Sequence, residues 1–203
     1  MTEGSIDKGY LDTMHSAGPD AWHIADGFYE SRKRQLLLAC LPKPRFDYGF
    51  EPGCANGELT VQLAERCSRL LAADYHPEAV RRSRRRTADL PWVAVDELLV
   101  PEAWPVDQPM DLVVISEFGY YLDQAAWAEL CRLAARSVGR DGTVVACHWR
   151  PDFDRRRLTT AAMHATLGTE LALTRHARYL DPEIQLDVWT SDDIPLPAGD
   201  VSE

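Results

Sequence analysis

A doubly wound α/β sheet is the fold class that this 203-residue sequence predicts, and three observations predict it. Five short apolar runs alternate with amphipathic stretches, the pattern of parallel strands joined by crossover helices. The loop after the first run, EPGCANG, carries two glycines four apart and leads into a helical pattern. Near the end, LALTRHARYL and EIQLDVWTSD are separated only by DPE. So short a connection makes that pair antiparallel, because parallel neighbours need a long crossover.

Residues 20–41 read as one helix, capped by Asp20, with Ile24, Phe28, Leu36, Leu37 and Leu38 on its apolar side. LPKPRF stops it. The parallel strands are expected at 46–51, 69–75, 91–96, 110–117 and 142–149, with helices at 57–68, 76–88 and 123–138 between them. ELLVPEAWPVDQP, after the third strand, is rich in turn residues and reads as irregular. A helix near 157–170 precedes the terminal hairpin, and DIPLPAGDVSE reads as a loose tail. The whole chain, 1–203, is expected to form one domain.

Composition narrows the function classes. Hydrophobic content of 45% and charged content of 27% are globular values. The polar start lacks a signal-peptide apolar region, and no run approaches the roughly 18 apolar residues of a membrane span. A cytoplasmic protein is expected. Cys40, Cys54, Cys67, Cys131 and Cys147 are odd in number and never spaced as C-x-x-C, which argues against a disulfide framework and a zinc site. The histidines lack metal-ligand spacing as well, so no metal is expected. A net charge of −10 weighs against nucleic acid as a partner. RRSRRR, residues 81–86, reads as the solvated face of a helix, with an anionic partner as the alternative.

The glycine loop bears on the ligand. In a doubly wound sheet, ligands bind beyond the carboxyl ends of the strands, so Gly53 and Gly57 let backbone approach a ligand. The N-terminus of helix 57–68 would face the same crevice. No lysine follows Gly57, which removes a P-loop. A dinucleotide fingerprint counted from Gly53 meets Ala55 and Glu58 where glycines belong. S-adenosylmethionine has no phosphate, and its amino group suits an acid such as Glu51. Asp74, 23 residues on, can accept from ribose hydroxyls, although a dinucleotide fold uses an acid at similar spacing. Asp96 ends the third strand and either meets an adenine amino group or caps a turn. Glu117 continues this series of acids at strand ends.

These residues carry a family resemblance. EPGCANGELTVQLAERCSRLLAADYHPEAV, with DLVVISEFGYYL, resembles class I S-adenosylmethionine-dependent methyltransferases. More narrowly, G-C-x-x-G and S-E-x-x-Y-Y-L, together with DAW and FYESRK near the start, resemble the group around nodulation protein S. The resemblance covers roughly residues 10–190 and implies a Rossmann-like sheet of seven strands ending in an antiparallel hairpin. It implies Glu51, Gly53, Ala55 and Gly57 around the methionine moiety, Asp74 on ribose and Asp96 near adenine. Cys54, Tyr75, Glu97, Ser116 and Glu117, at the same strand ends, complete the expected cofactor set. Trp22 and Lys33 would close over it from an N-terminal helical lid, 1–41, on a core of 42–191 that leaves 192–203 as the tail. Ala55 departs from the glycine common in the wider superfamily, and Pro52 stiffens the start of the loop.

Methyl transfer from a sulfonium mainly needs alignment, and an amine acceptor must be neutral when it attacks. Glu117 and His148, which end strands four and five, are the candidates to orient that amine or take its proton. Both also have structural readings. Tyr121, with Tyr120, either lines the acceptor site or packs helix against sheet. Trp149 and Arg150 follow on the next loop. The expected activity is methylation of a small molecule. Nitrogen, with an amino sugar as one acceptor, is suggested by the family. Oxygen methylation, a catalytically silent cofactor-binding subunit and a nicotinamide oxidoreductase are the alternatives. The chain is expected to be a monomer or homodimer.

Overall fold

The structure is a computed structural model and describes residues 8–18, 20 and 22–191. Its seven strands form one sheet in the order β3-β2-β1-β4-β5-β7-β6. They are β1 (Phe46–Pro52), β2 (Cys67–Asp74), β3 (Val93–Glu97), β4 (Met110–Ser116), β5 (Val138–Trp149), β6 (Thr174–Leu180) and β7 (Ile184–Thr190). β1 to β5 pair in parallel, whereas β7 runs antiparallel between β5 and β6. The expected terminal hairpin is therefore present, inserted with its second strand innermost. The expected tail, 192–203, and the first seven residues lie outside the described residues.

The helices are α1 (Lys8–Ala17), α2 (Phe28–Ala39), α3 (Glu58–Ala64), α4 (Pro77–Arg86), α5 (Gln124–Ser137) and α6 (Thr160–Glu170). Two depart from expectation. The helix expected at 20–41 begins only at Phe28, and α1 precedes it. Asp20 does accept backbone amides, from Ile24 at 2.7 Å and Ala25 at 2.9 Å, but it caps a turn. His23, at a φ of 54°, and the extended Gly27 separate that turn from α2. The helix expected at 57–68 is the short α3, because Cys67 already belongs to β2 and is fully buried beneath it. The remaining elements shift by a few residues only. β5 gains four residues at its start, where Val138 turns directly out of α5.

Strand pleat sorts the core onto two faces. Along β4, Leu112 and Val114 pack with Leu37 of α2 and Leu63 of α3, whereas Val113 and Ile115 pack with Trp127 and Leu130 of α5. All of these are fully or almost fully buried. Near-continuous apolar strands are what a sheet covered on both faces requires. Asp111 interrupts this pattern at the amino end of β4, where its carboxylate accepts from the amides of Asp47 (2.9 Å) and Tyr48 (2.7 Å). The irregular register between Met110 and Leu112 falls at that point. The strand order reverses between β1 and β4, which opens a crevice at their carboxyl ends.

Candidate functional site

That crevice holds a cavity of about 510 Å³, within the range of small-molecule sites. Its floor is the loop after β1. Gly53, at a φ of 75°, turns the chain so closely under Phe118 that a Cβ there would meet the ring at 2.8 Å. Gly53, Cys54 and Ala55 line the cavity, but Gly57 does not. Gly57 instead starts α3 in the left-handed region, at a φ of 81°. Glu58 and Leu59 bring the start of the seven-residue α3 to the cavity beside the loop backbone, and Glu58 pairs with Arg86 at 2.6 Å.

Two buried acids stand beside this loop. Glu51, near the end of β1, accepts from Thr60 Oγ1 at 2.6 Å, and burial pushes its pKa up to about 8. Asp74 ends β2. Its two oxygens accept from the amides of Ala55 and His76, each at 3.0 Å, although burial still raises its pKa. Tyr75 and Ser116 also line the cavity, and the buried Ser116 Oγ has no hydrogen-bond partner.

Glu117 lies one residue past β4 at a φ of 61°, left-handed for a residue with a side chain. Four groups surround its carboxylate. Tyr29 Oη donates to Oε1 at 2.7 Å, and Tyr120 Oη and the Trp149 amide (3.3 Å) donate to Oε2. Lys33 Nζ stands 3.6 Å from Oε1 and bonds Glu30 at 2.7 Å. Burial alone would lower the Lys33 pKa, but Glu117 and Glu30 outweigh it and hold it above the usual lysine value. Tyr121 and Trp22 line the cavity as expected.

Besides Gly57, several expected residues do not line the cavity. Asp96 and Glu97 do not line the cavity, because β3 continues through Glu97 and the chain meets the crevice with Leu98, Leu99 and Val100. Asp96 is more than half exposed and faces Arg84 of α4 at 3.7 Å. His148 is fully buried below the crevice, since β5 runs on to Trp149 and the pleat turns His148 into the core. Its Nδ1 meets His164 Nε2 at 3.0 Å, and His164 Nδ1 meets Asp187 at 2.7 Å. Arg150 bonds the Asp181 carbonyl and does not line the cavity. The arginines at 81–86 brace α4: Arg81 pairs with Glu78, Arg84 reaches the Val95 carbonyl and Arg86 the Asn56 carbonyl.

Sequence reasoning missed several lining residues. His15 of α1 stacks on His76 with centroids 4.3 Å apart, and burial lowers its pKa to about 4. Arg34 of α2 is buried with its Nε unpartnered. Tyr10, Tyr29, Glu30 and Phe153 join them. The α2 residues had two signals: the FYESRK segment holds Tyr29, Glu30 and Lys33, and these share one side of a helix with Arg34 at three- and four-residue intervals.

The family model of nodulation protein S (NodS) matches residues 9–145, a span that holds the glycine loop, Asp74 and Glu117. The chain belongs to the nodulation protein S family. A nodulation protein S from Rhizobium tropici is 36% identical over 115 residues, 54% of this chain and 46% of that protein. The chain thus spans about half the length of the curated relatives it matches. A crystal structure from Pseudomonas syringae, described as a candidate methyltransferase, is 42% identical, covering 81% of this chain and 99% of that one, with a TM-score of 0.71. The N-methyltransferase NodS from Bradyrhizobium japonicum WM9, in complex with S-adenosyl-L-homocysteine, superposes with a TM-score of 0.82 at 23% identity, over 91% and 98% of the two chains. This family member therefore has the Rossmann-like methyltransferase fold.

Proposed function

We propose that the protein is an S-adenosylmethionine-dependent methyltransferase acting on the nitrogen of a small molecule. The observation that carries this reading is the charge of the cavity. Among its described lining residues, Glu30, Glu58, Asp74 and Glu117 outnumber two basic side chains, Lys33 and Arg34, and Glu51 adds a carboxyl that can ionise against a bound cation. Such a lining repels the phosphates of a dinucleotide and suits a ligand with a sulfonium and an amino group. When bound, S-adenosylmethionine supplies a methyl group already activated on sulfur.

The residues fit that ligand. Glu51, neutral at pH 7 in the free protein, gains a cationic partner by ionising against the amino group. Arg34 Nε and Lys33 are suited to the carboxylate, and Asp74 to the ribose hydroxyls. Leu98, Leu99 and Val100, not Asp96, offer an apolar slot for adenine. Ser116 Oγ, buried without a partner, gains one from a polar ligand atom. Helices α1 and α2 act as a lid on a single domain, which works in the cytoplasm as a monomer or homodimer.

Glu117 is the residue suited to orient the acceptor nitrogen and hold its proton. Its fixed carboxylate needs no rearrangement, and positioning of this kind can contribute about 7–11 kcal/mol to a two-substrate reaction. The burial of His148 takes away the base on which oxygen methylation would have drawn, which favours nitrogen. Calorimetry and turnover test the assignment together. Asp74→Ala should weaken S-adenosylhomocysteine binding about tenfold or more. Glu117→Gln should keep binding within about threefold and lower kcat about 100-fold. Unchanged affinity in the first variant, or full turnover in the second, would sink the corresponding role.

A further inference from the structure

Resting on that reading, we propose that Glu30 competes with the cofactor's carboxylate for Lys33 and Arg34, and so limits how tightly the cofactor binds. All three residues line the cavity. The Glu30 carboxylate accepts from Lys33 Nζ at 2.7 Å and stands 3.8 Å from Arg34 Nη1. The side chains are well shielded, with Lys33 5% exposed, Arg34 6% and Glu30 14%. In the free protein Glu30 therefore holds the two basic groups that suit a ligand carboxylate.

The rest of that basic pair is already engaged. Arg34 gives Nη1 to the Ile24 carbonyl and Nη2 to that of Ala25 (3.5 Å), which leaves Nε without a partner. Lys33 also stands 3.6 Å from Glu117. Within this cluster two cations face two carboxylates, and a bound carboxylate would be a third. Like charges repel strongly where little water screens them. Glu30 is the carboxylate that yields. Glu117 is held by Tyr29, Tyr120 and the Trp149 amide as well, whereas Glu30 is tied to Lys33 and Arg34. Burial also raises the Glu30 pKa against the pull of Lys33, so the cluster keeps this carboxylate at a cost. The charge of Lys33 is felt at Glu51, so the basic pair and the acid suited to the amino group belong to one electrostatic cluster.

The sign of the effect separates this role from a purely structural one. A Glu30 that only positioned Lys33 would help the cofactor, and removing its charge would weaken binding. Competition predicts the reverse. The test is calorimetry on the full chain with S-adenosylhomocysteine and with decarboxylated S-adenosylhomocysteine, which keeps the adenosine, sulfur and amino group. Glu30→Gln leaves Lys33 an oxygen to bond and removes the charge. We expect it to tighten S-adenosylhomocysteine binding about tenfold and to leave the decarboxylated ligand within about threefold. Glu30→Asp, which draws the charge back by one methylene, should give a smaller gain. Weaker or unchanged binding of S-adenosylhomocysteine by Glu30→Gln, or by Glu30→Asp if only that variant folds, would overturn the inference alone. An equal gain for the decarboxylated ligand would do the same. Failure of the unaltered chain to bind S-adenosylhomocysteine would overturn the proposed function and this inference with it.

Discussion

Ala55 and Glu117 both line the cavity in the left-handed region, at φ of 48° and 61°. That conformation costs a residue with a side chain about 1–2 kcal/mol, and such outliers gather where function holds them. Ala55→Gly removes the strain but frees the unfolded chain, so we expect a net gain of about 0.5–1 kcal/mol in urea unfolding. A loss would mean that the methyl group packs favourably. Glu51 raises a pH question. Its pKa is near 8 in the folded protein, against about 4.3 unfolded. The folded state therefore holds the extra proton between these values, and stability falls as pH rises from about 4.5 to 8. Glu51→Gln should stabilise the free protein at pH 8 by about 2–4 kcal/mol, and the two proteins should converge near pH 4.5. The same variant should bind S-adenosylhomocysteine more weakly, and the wild type should bind it better as pH rises from 6 to 8. Thermal melts and calorimetry across that range check both signs.

At the scale of elements, β5, α6 and β7 are joined by a buried polar chain. His148 meets His164, His164 meets Asp187, and Asp187 also accepts from Gln185 (2.9 Å) and Arg178 (2.7 Å). Burial alone would raise the Asp187 pKa, but the bonds from His164, Arg178 and Gln185 outweigh it and hold the carboxyl well below its usual range. Its stabilisation is therefore present above about pH 4 and lost as pH falls further. We expect Asp187→Ala to cost about 2–3 kcal/mol at pH 7, after allowing for the solvent exposure of Arg178. The loss should shrink at pH 3, and S-adenosylhomocysteine affinity should stay within about twofold. A large change in affinity would connect this chain to the site. The connection between α2 and the sheet works differently. Leu37 anchors the helix in the core, and that anchorage points Tyr29, Lys33 and Arg34 at the strand ends.

Across the whole molecule, the cavity shares the sign of the net charge, −10. A ligand that fits it should stabilise the fold by mass action, about 2.7 kcal/mol at 100 times its Kd, or several degrees in a chain of this length. S-adenosylhomocysteine should produce that shift, and NAD at equal concentration should not. A shift with NAD alone would restore the oxidoreductase alternative. The sheet itself was legible because its signals are local: apolar runs, turn residues and a three-residue hairpin connection. The acids Glu51, Asp74 and Glu117 were legible for the same reason, since each closes such a run. His148 and Asp96 were equally well placed by that criterion and are not in the cavity. One strand reaching Trp149, and another reaching Glu97, sends those side chains elsewhere.

What this sequence determined by itself is the fold class, the loop that lines the cavity and the acids at the ends of β1, β2 and β4. Hydrophobic period and turn chemistry are written into neighbouring residues. What only the tertiary structure decided is which strand-end side chains meet. Pleat and strand length turned His148 inward and left Asp96 in solvent. The packing of α1 and α2, about a hundred residues before Glu117 and Trp149, brought Tyr10, Tyr29 and Arg34 to the cavity. Such contacts depend on where distant segments dock, and no local pattern encodes that.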